Sequence, residues 1–477
     1  MEKVAKSSLE GLFKAEGIAI IGASSKKGKP GNQIVEFAKE MDFAGNIYPV
    51  NPGADSILDL KCYKTLAEVP GRVDIVVIVL PAEDAGEAAK RVAQRKDARG
   101  DVAAVVVVTG GFSETGTEEG RAREKALLEP LIPRGIRVVG PNCQGIIDTY
   151  HGINTTFDVG KYRKGGLSII AQSGALAVSY LMWGAPGSLL GLNKFVSLGN
   201  TSDVNVTDLL KYLAEDERTR VIALYLEGTK QGRELIRTAA EVSKKKPIVA
   251  FKGGRTQMGS VAAASHTASI AGSFEMYRGV FREAGVIQAM SLPEFYHTAA
   301  AFDKMPLPRG NQICVLTVVG GPGTICVDEL TSSGVVELAK LSEETKTKLR
   351  QMLVPAANVG KPDGYIDMTG SVSELLHQEV FKIVLADPNI HGVVYLTTPP
   401  AFLDEEALAK NIIAGYQSFP QEERKPVLSV FGYGYTVAKL RKIMEEADMP
   451  TLEYADIAAK VMTNMVRYSQ YKSRFNR

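Results

Sequence analysis

Residues 18–34 read IAIIGASSKKGKPGNQI, a run of apolar, mostly β-branched residues that leads into a turn of small residues and lysines. A short β-branched run bounded by glycine is typical of a buried parallel strand. Small residues after such a strand let the backbone approach a ligand closely, and the unpaired N–H groups of the following helix attract anions. The stretch therefore predicts the first strand, anion-binding turn and helix of an open α/β domain.

The same alternation of strands and helices continues to the end of the chain, which predicts parallel βαβ units throughout. Further strand-like runs are NIYPV (46–50), DIVVIVL (74–80), AAVVVVTGG (103–111), IRVVGPN (136–142), LSIIAQSG (167–174), KFVSLGN (194–200), VIALYLEG (221–228), PIVAFKGG (247–254), ICVLTVVGG (313–321), GVVYLTTPP (392–400) and PVLSVFGYG (426–434).

The 477-residue chain is too long for one hydrophobic core, because domains usually hold about 100 to 200 residues. The periodicity lapses in HGINTTFDVGKYRKGG (151–166), and two prolines and a glycine interrupt KMPLPRGNQ (304–312). We therefore expect three α/β domains, at residues 1–150, 151–306 and 307–477.

Composition excludes several classes of protein. The 56 lysines and arginines nearly balance the 54 aspartates and glutamates, so the formal net charge is +2 and no overall field attracts nucleic acid or membrane lipid. No signal-peptide pattern opens the chain, and no apolar run approaches the roughly 18 residues of a membrane span. Four separated cysteines without a C-x-x-C pair favour reduced thiols over disulfides or zinc. We expect a cytoplasmic protein with no bound metal, nucleic acid or membrane.

The first turn does not follow the dinucleotide-binding pattern. Its glycines at 22, 28 and 31 do not fit G-x-G-x-x-G, and the second strand ends in Val50-Asn51-Pro52, without an acidic residue for a ribose hydroxyl. Both features argue against NAD. Three lysines crowd the turn, namely Lys26, Lys27 and Lys29. They suit a ligand with several phosphates, although a solvated lysine cluster explains them equally well.

Other predicted strands of the first domain end in residues suited to the same ligand, because ligands of open α/β sheets lie across the carboxyl ends of the strands. These ends are Leu80-Pro81, Thr109-Gly110-Gly111 and Pro141-Asn142-Cys143. Cys143 has no histidine near it in sequence except His151, so a packing role is favoured over a nucleophilic one.

In the middle third, AQSGAL (171–176) again joins a strand to a helix through small residues. Ser173 and Gly174 at that helix start could hold one phosphate through N–H groups and a hydroxyl, and an ordinary helix cap is the alternative. VSLGN (196–200) adds a second turn, with Gly199 and Asn200, on the same edge of the sheet.

His266 lies in a stretch with few large side chains, KGGRTQMGSVAAASHTASIAG (252–272), for which we predict a long, mobile loop. A neutral imidazole nitrogen can attack phosphorus and pass the phosphoryl group on, provided that a partner fixes its tautomer. Glu227, at the end of a neighbouring strand, is the best candidate partner. The other four histidines, which we interpret as structural or exposed, are His151, His297, His377 and His391.

Six motifs now occur in a familiar order: GASS, GPNCQG, AQSGAL, SLGN, YLEG and SHTASIAG. Together they resemble the alpha subunit of ADP-forming acyl-CoA synthetases, which are relatives of succinyl-CoA ligase. The resemblance spans nearly the whole chain, and the last third joins it through VVGGPGTICVDEL (318–330) and YIDMTG (365–370). It implies a Rossmann-like CoA-binding domain followed by two flavodoxin-like, succinyl-CoA ligase-like domains.

The resemblance also implies roles for residues. His266 matches the phosphorylated histidine of the family, Glu227 the glutamate that stabilises it, and Ser173 with Gly174 the phosphate-binding helix start. The positions that match the CoA site are Gly22, Ser24, Asn51, Pro52, Thr109, Gly110 and Asn142, to which Lys29 and Leu80 are added from the turn and strand end above. Two residues depart from the family pattern: Ala268 replaces a glycine of the histidine motif, and Pro30 replaces a small aliphatic residue.

Single-chain members of that family carry an ATP-grasp domain, and three α/β domains leave no stretch here for one. The resemblance therefore implies a separate ATP-grasp beta subunit that brings ADP or ATP and Mg²⁺, in an α2β2 heterotetramer. The implied reaction converts acyl-CoA, ADP and phosphate into carboxylic acid, CoA and ATP through acyl phosphate and phosphohistidine. Three alternatives remain open: a succinyl-CoA ligase-type subunit, a non-catalytic CoA-binding regulatory module, and an NAD-dependent dehydrogenase.

Overall fold

The computed structural model describes residues 9–158, 161–176, 191–266, 274–399, 403–432 and 437–475. The chain folds into two compact units, of which the first ends at Gln288 and the second begins at Ala289. Among the described residues, no helix is both long and apolar enough to cross a membrane.

The first unit contains two main sheets. The first sheet is parallel with strand order β2-β1-β5-β6-β7, and the second has the order β14-β13-β12-β10-β11-β8-β9. The strands of the first unit are β1 Gly17–Ile21, β2 Asn46–Val50, β3 Ser56–Ile57, β4 Leu60–Lys61, β5 Ile75–Ile78, β6 Ala104–Val107, β7 Arg137–Val139, β8 Ile146–Asp148, β9 Ile153–Asn154, β10 Lys164–Ala171, β11 Leu192–Ser197, β12 Val221–Leu226, β13 Ile248–Lys252 and β14 Ile287–Gln288.

Helices cover these sheets because their crossovers connect parallel strands. The α-helices with described bounds in the first unit are α1 Pro30–Glu40, α2 Ala82–Arg99, α3 Glu118–Leu128, α4 Val206–Glu215, α5 Gly232–Lys245, α6 Gln257–His266 and α7 Phe274–Glu283. A further helix begins at Gly174, and its described part ends at Leu176. Short 3₁₀ turns occur at Leu66–Glu68, Ser113–Thr115 and Ile132–Arg134.

The second unit is built around one sheet with the order β17-β18-β15-β19-β20-β21, and β16 pairs with β15 outside this path. Its strands are β15 Gln312–Thr317, β16 Glu337–Leu338, β17 Asn358–Val359, β18 Tyr365–Asp367, β19 Gly392–Leu396, β20 Val427–Val430 and β21 Thr451–Leu452. Its helices are α8 Leu292–Lys304, α9 Gly320–Ser332, α10 Glu343–Met352, α11 Leu376–Ala386, α12 Glu405–Gln417, α13 Ala438–Glu446 and α14 Ala455–Ser473.

All three sheets share one topology. In each sheet, the second parallel strand of the chain lies on one side of the first, and the later strands follow on the other side. Numbered along the chain, the main parallel strands therefore have the order 2-1-3-4-5 of doubly wound folds. The topological switch point lies between β1 and β5 in the first sheet, between β10 and β12 in the second and between β15 and β19 in the third. Because ligands of such sheets bind outside the carboxyl ends at the switch point, the topology marks one candidate crevice per sheet.

The two sheets of the first unit are joined by charged side chains. Arg137 begins β7 of the first sheet, and its guanidinium contacts Asp203 at 2.8 Å and Asp208 at 2.7 Å in the chain that follows β11. The Asp203 carboxylate also accepts the backbone N–H of Val138 at 2.8 Å. These partly buried contacts fix the second sheet against the edge strand of the first.

Helix α8 belongs to the second compact unit. The sequence predicts it in the middle domain, before the linker at 304–312. It packs along α14, and the Asn464 amide donates to Glu294 at 2.9 Å and to Thr298 at 3.3 Å. These buried polar contacts fix α8 within the second unit. The boundary between the two compact units therefore lies near residue 288, whereas the sequence predicts a domain boundary at residue 306.

The predicted loop at 252–272 is wrong for residues 257–266, which form helix α6. Alanines 262–264 have high helix propensity, and the Thr256 hydroxyl accepts the Gly259 N–H at 3.0 Å, as a capping side chain does. The glycine and serine content suggested a loop, but the helix propensity of the alanines and the Thr256 cap favour a helix. Ala268 and the rest of 267–273 lie outside the described residues.

Candidate active site

The turn after β1 lies at the switch point of the first sheet. Gly22 has φ +88°, and its N–H donates to Val50 O at 3.1 Å. A Cβ atom at Gly31, in the first turn of α1, would lie 2.2 Å from Gly22 O, and one at Gly22 would lie 3.0 Å from Leu80 Cδ2. Glycine at these positions lets the start of α1 rest directly on the turn.

Two asparagines hold this turn. The Asn51 amide donates to Ala23 O at 2.6 Å and accepts the Gly53 N–H at 2.7 Å. The Asn32 amide donates to Ser24 O at 2.8 Å. Of the predicted CoA residues, Gly22, Ser24, Asn51 and its neighbour Pro52 therefore lie together at one strand edge.

Helix α1 presents its N-terminus at the same place. Lys29 is its exposed N-cap residue and makes no side-chain capping bond, Pro30 is its first residue, and its first turn contains no acidic side chain. Proline is favoured at that position because its missing N–H would have no helical acceptor. The open helix start beside exposed lysines suits an anionic ligand.

The remaining predicted CoA residues follow β6 and β7. Asn142 has φ +57° and donates its N–H to Thr109 O at 2.9 Å, and a Cβ atom on Gly110 would lie 3.1 Å from Asn142 Oδ1. The structure therefore brings Thr109, Gly110 and Asn142 together. The neighbouring Cys143 is buried, its thiol contacts Val107 O at 3.3 Å, and burial raises its pKa to about 12. It is a packing residue, as we predict from the sequence.

Gly199 and Asn200, predicted to bind phosphate, lie against this edge from the second sheet. Gly199 has φ +53°, and a Cβ atom there would lie 2.2 Å from Pro141 O. The Asn200 amide donates to Glu114 at 2.6 Å. Burial alone would raise the pKa of Glu114, but hydrogen bonds from Asn200 and from the N–H groups of residues 111 and 112 lower it. Asn200 thus contacts a carboxylate and links the two sheets.

Ser173 and Gly174 lie at the switch point of the second sheet. The Ser173 hydroxyl caps the helix that begins at Gly174, and it accepts the Leu176 N–H at 3.5 Å. A Cβ atom on Gly174 would lie 2.1 Å from Gln144 Cγ, so only glycine admits this side chain, which belongs to the segment between β7 and β8. The Gln144 N–H donates to the Ser197 hydroxyl at 3.0 Å. The predicted phosphate and CoA residues therefore share one border.

Glu227 follows β12, directly across the switch point. It is only 7% exposed, and the Gln172 amide oxygen accepts its N–H at 2.6 Å and that of Gly228 at 3.1 Å. The Tyr225 hydroxyl donates to Glu227 Oε1 at 3.2 Å. Oε2 is also buried, and none of the described residues gives it a hydrogen bond. A buried carboxylate oxygen without a donor is set to accept one from a ligand or a moving side chain.

Sequence reasoning missed Gln172 and Lys252, which hold Glu227 in place. Gln172 stands directly before the predicted Ser173, and its amide nitrogen also donates to Gly228 O at 2.8 Å. Lys252 ends β13, is buried, and donates to Glu227 O at 2.6 Å. Polarity was the available signal, since Gln172 directly follows the apolar run at residues 169–171 of β10, and Lys252 ends the otherwise apolar strand β13.

His266 is the last residue of α6, the helix that follows β13. Its backbone position is described, and its predicted role with Glu227 stays a prediction. Within the described part of the chain, no cluster of three or more histidine, cysteine, aspartate or glutamate side chains is arranged to hold a metal ion.

Two of the other four histidines have carboxylate partners: His151 Nδ1 lies 2.9 Å from Asp148, and His297 Nε2 lies 2.9 Å from Glu453. Asp148 ends β8, which runs antiparallel to β11, so the first pair lies away from the carboxyl edge of the second sheet. Burial lowers the pKa of His377 and of His391.

Two family models match this arrangement. A CoA binding domain model matches residues 16–149, and a model of the succinyl-CoA ligase like flavodoxin domain matches residues 164–302. They place the chain in the class of CoA ligases built from a CoA-binding domain and a flavodoxin-like ligase domain.

Curated relatives narrow the class. The acetate–CoA ligase [ADP-forming] II subunit alpha of Pyrococcus furiosus is 37% identical, over 94% of this chain and 96% of its own length. The corresponding subunit alpha of ligase I from the same organism is 34% identical, over 98% of this chain and 99% of its own. The chain belongs to the family of ADP-forming acetate–CoA ligase alpha subunits. It spans only 64% of the acetate–CoA ligase [ADP-forming] I of Archaeoglobus fulgidus, at 34% identity over 98% of this chain.

Solved structures agree with this placement. The Ca. Korarchaeum cryptofilum dinucleotide forming acetyl-coenzyme A synthetase 1, in complex with phosphate and ADP, superimposes with a TM-score of 0.89 at 31% identity, over 98% of this chain and 97% of that one. PH0766 from Pyrococcus horikoshii OT3 superimposes with a TM-score of 0.86 at 33% identity, over 97% of this chain and 99% of that one.

Proposed function

We propose that this chain is the CoA-binding and phosphoryl-carrying alpha subunit of an ADP-forming acyl-CoA synthetase, with acetyl-CoA as the first substrate to test. The reaction is acyl-CoA plus ADP plus phosphate, giving carboxylic acid, CoA and ATP. The observation that carries the proposal is the pair of groups across one switch point: the helix start at Ser173 and Gly174, and the buried Glu227 oxygen to which no described residue donates.

In the first step, CoA lies across the carboxyl edge of the first sheet and phosphate at Ser173 and Gly174. A phosphate oxygen attacks the thioester carbonyl carbon, the carbon–sulfur bond breaks, and the CoA thiolate leaves and takes up a proton. The product is acyl phosphate. The helix start stabilises the phosphate charge through its N–H groups and dipole, and the contact between Gln144 and Gly174 keeps the two substrates adjacent.

In the second step, a ring nitrogen of His266 attacks the phosphorus of acyl phosphate. The bond from phosphorus to the acyl oxygen breaks, and the carboxylate leaves. The imidazole gains positive charge as the nitrogen–phosphorus bond forms, and Glu227 accepts the N–H of the other ring nitrogen. This acceptor orients the ring and stabilises the cation.

In the third step, a terminal oxygen of ADP attacks the phosphohistidine, which gives ATP and returns neutral His266. The ADP and Mg²⁺ are held by a separate ATP-grasp beta subunit in a cytoplasmic α2β2 enzyme. Two relatives named as alpha subunits, together with longer relatives of which this chain covers 63–64%, support a partner of this kind.

The experiment is purification with the native partner, followed by assay of ATP formation from acetyl-CoA, ADP and phosphate. Incubation with labelled ATP and Mg²⁺ should leave acid-labile, base-stable phosphate on this chain. His266→Ala should abolish both label and ATP synthesis, whereas His391→Gln, far along the chain in the second unit, should retain both. Label that maps to Ser265 or Thr267, or full ATP synthesis by His266→Ala, would refute the relay.

A further inference from the structure

Lys252 is a buried cation that the relay above does not use. The residue is only 1% exposed. Its ammonium donates to Glu227 O at 2.6 Å and to Gly253 O, and it lies over the Tyr277 ring at 5.0 Å from the centroid. Two of the three ammonium donors are therefore hydrogen-bonded, and the ring face adds a favourable electrostatic contact.

The surroundings of Lys252 explain how a charge is tolerated there. A buried ammonium is costly unless it is hydrogen-bonded and an opposite charge lies nearby. Burial lowers the pKa of Lys252, while the negative charge of Glu227 raises it. The lysine and the glutamate therefore offset each other's charge within the interior of this sheet edge.

The backbone contacts of Lys252 connect two functional segments. The first acceptor is the carbonyl oxygen of Glu227, whose carboxylate is the proposed partner of His266. The other belongs to Gly253, the first residue after β13 on the path to α6 and His266. Gly253 also packs against the glutamate, because a Cβ atom there would lie 3.6 Å from Glu227 Cγ and 2.8 Å from the Tyr225 hydroxyl.

We propose that Lys252 is a positioning residue for phosphorylation of the histidine. Its ammonium fixes the main chain of Glu227 relative to the segment that leads to His266, and it balances the charge of the carboxylate. This inference rests on the proposed function. Among the described residues, the contacts of Lys252 are with Glu227, Gly253 and Tyr277 and not with Ser173 or Gly174, so we expect acyl phosphate to form without its help.

The test separates the two half-reactions in the assembled enzyme. Lys252→Met keeps length and apolar character but removes the charge and the donors. Release of CoA from acetyl-CoA and phosphate in a single turnover should stay within about threefold of wild type, with an unchanged KM for acetyl-CoA. Phosphorylation of His266 from labelled ATP and Mg²⁺ should slow about 10- to 100-fold, by analogy with the loss of a group that orients a metal-ligating side chain.

Lys246 provides a matched control. It precedes the same strand, and its ammonium also donates to two backbone carbonyls, Leu213 O at 2.8 Å and Asp216 O. Burial lowers its pKa as well. Because it lies at the opposite end of β13, Lys246→Met should reduce the unfolding temperature to a similar degree without separating the half-reactions.

Each possible result of this test supports or overturns the positioning role of Lys252. Equal loss of both half-reactions in Lys252→Met, or no loss in either, overturns the positioning role. Lys252→Arg, which keeps the charge, should recover part of the labelling rate. If Lys252→Met does not fold, Lys252→Gln keeps two donors without the charge and should show the same separation. Failure of the wild-type enzyme to take up acid-labile label would instead refute the proposed function.

Discussion

Replacing Glu227 with glutamine separates the electrostatic role of this side chain from its shape. The variant keeps an oxygen that can accept from the Tyr225 hydroxyl, which lies 3.2 Å from Oε1 in the structure. It replaces the buried oxygen without a donor by an NH₂ group. An NH₂ group cannot accept the imidazole N–H, and it carries no charge to stabilise the phosphorylating ring.

The size of the effect follows from the burial of the carboxylate. A unit charge at about 3 Å from a forming cation contributes about 5 kcal/mol at an effective dielectric constant of ~20. Part of that is offset by desolvation, and loss of comparable groups in enzymes costs about 2.7–4 kcal/mol, or 100- to 1,000-fold in rate. We expect a loss in that range for phosphorylation of His266.

Rapid-quench measurement of label transfer from ATP to the chain gives the rate. Glu234→Gln, at a half-buried position in the first turn of α5 where the carboxylate pairs with Lys211, is the matched control and should label at the wild-type rate. The Glu227→Gln variant should also unfold at a lower temperature, because it leaves the buried Lys252 ammonium without its nearby opposite charge. Labelling within threefold of wild type, or an unchanged unfolding temperature, would refute the reasoning.

Three further predictions concern other parts of the molecule. Gly31→Ala should weaken CoA binding at least about tenfold by calorimetry, because the new Cβ meets the Gly22 carbonyl and displaces the helix start. Gly232→Ala, where a Cβ meets no atom within 4 Å, should bind normally. Neither variant nor wild type should bind NAD. Burial would raise the pKa of Glu453, but the His297 hydrogen bond and Arg441 lower it to about 2. Glu453→Gln should therefore reduce the free energy of unfolding at pH 7 by about 3 kcal/mol. That difference should shrink as the pH falls below ~4.3 towards 2, and an exposed change, Glu446→Gln, should have no such effect. The chain without its partner should form no ATP from acetyl-CoA, phosphate and ADP.

The fold and the outline of the site could be predicted because their signals are local. Each β-branched run that ends in glycine or another small residue predicts a strand and a ligand-facing turn, and the three sheets follow that pattern. The helix at 257–266 was missed because glycine and serine near its start outweighed the alanine run in our interpretation. Local composition alone did not reveal the cap at Thr256.

The supports of Glu227 could not be predicted, because they depend on strand register rather than on neighbours in sequence. Gln172 lies 55 residues from Glu227, and Lys252 lies 25 residues away. They meet because β10 and β13 both flank β12 in register. The pair of His297 and Glu453, which are 156 residues apart, depends instead on the packing of helix α8 beside the end of β21.

The contacts of Arg137 bear on how this protein can be divided. A fragment that stops at residue 150 would retain the guanidinium but lose Asp203 and Asp208, and it would also expose the backbone against which Gly199 rests. A recombinant CoA-binding domain that ends at the predicted boundary, residue 150, would therefore expose the unpaired guanidinium of Arg137 to solvent. Domain exchange between relatives should accordingly transfer residues up to 288 as a single block, so that the guanidinium and both carboxylates come from one parent.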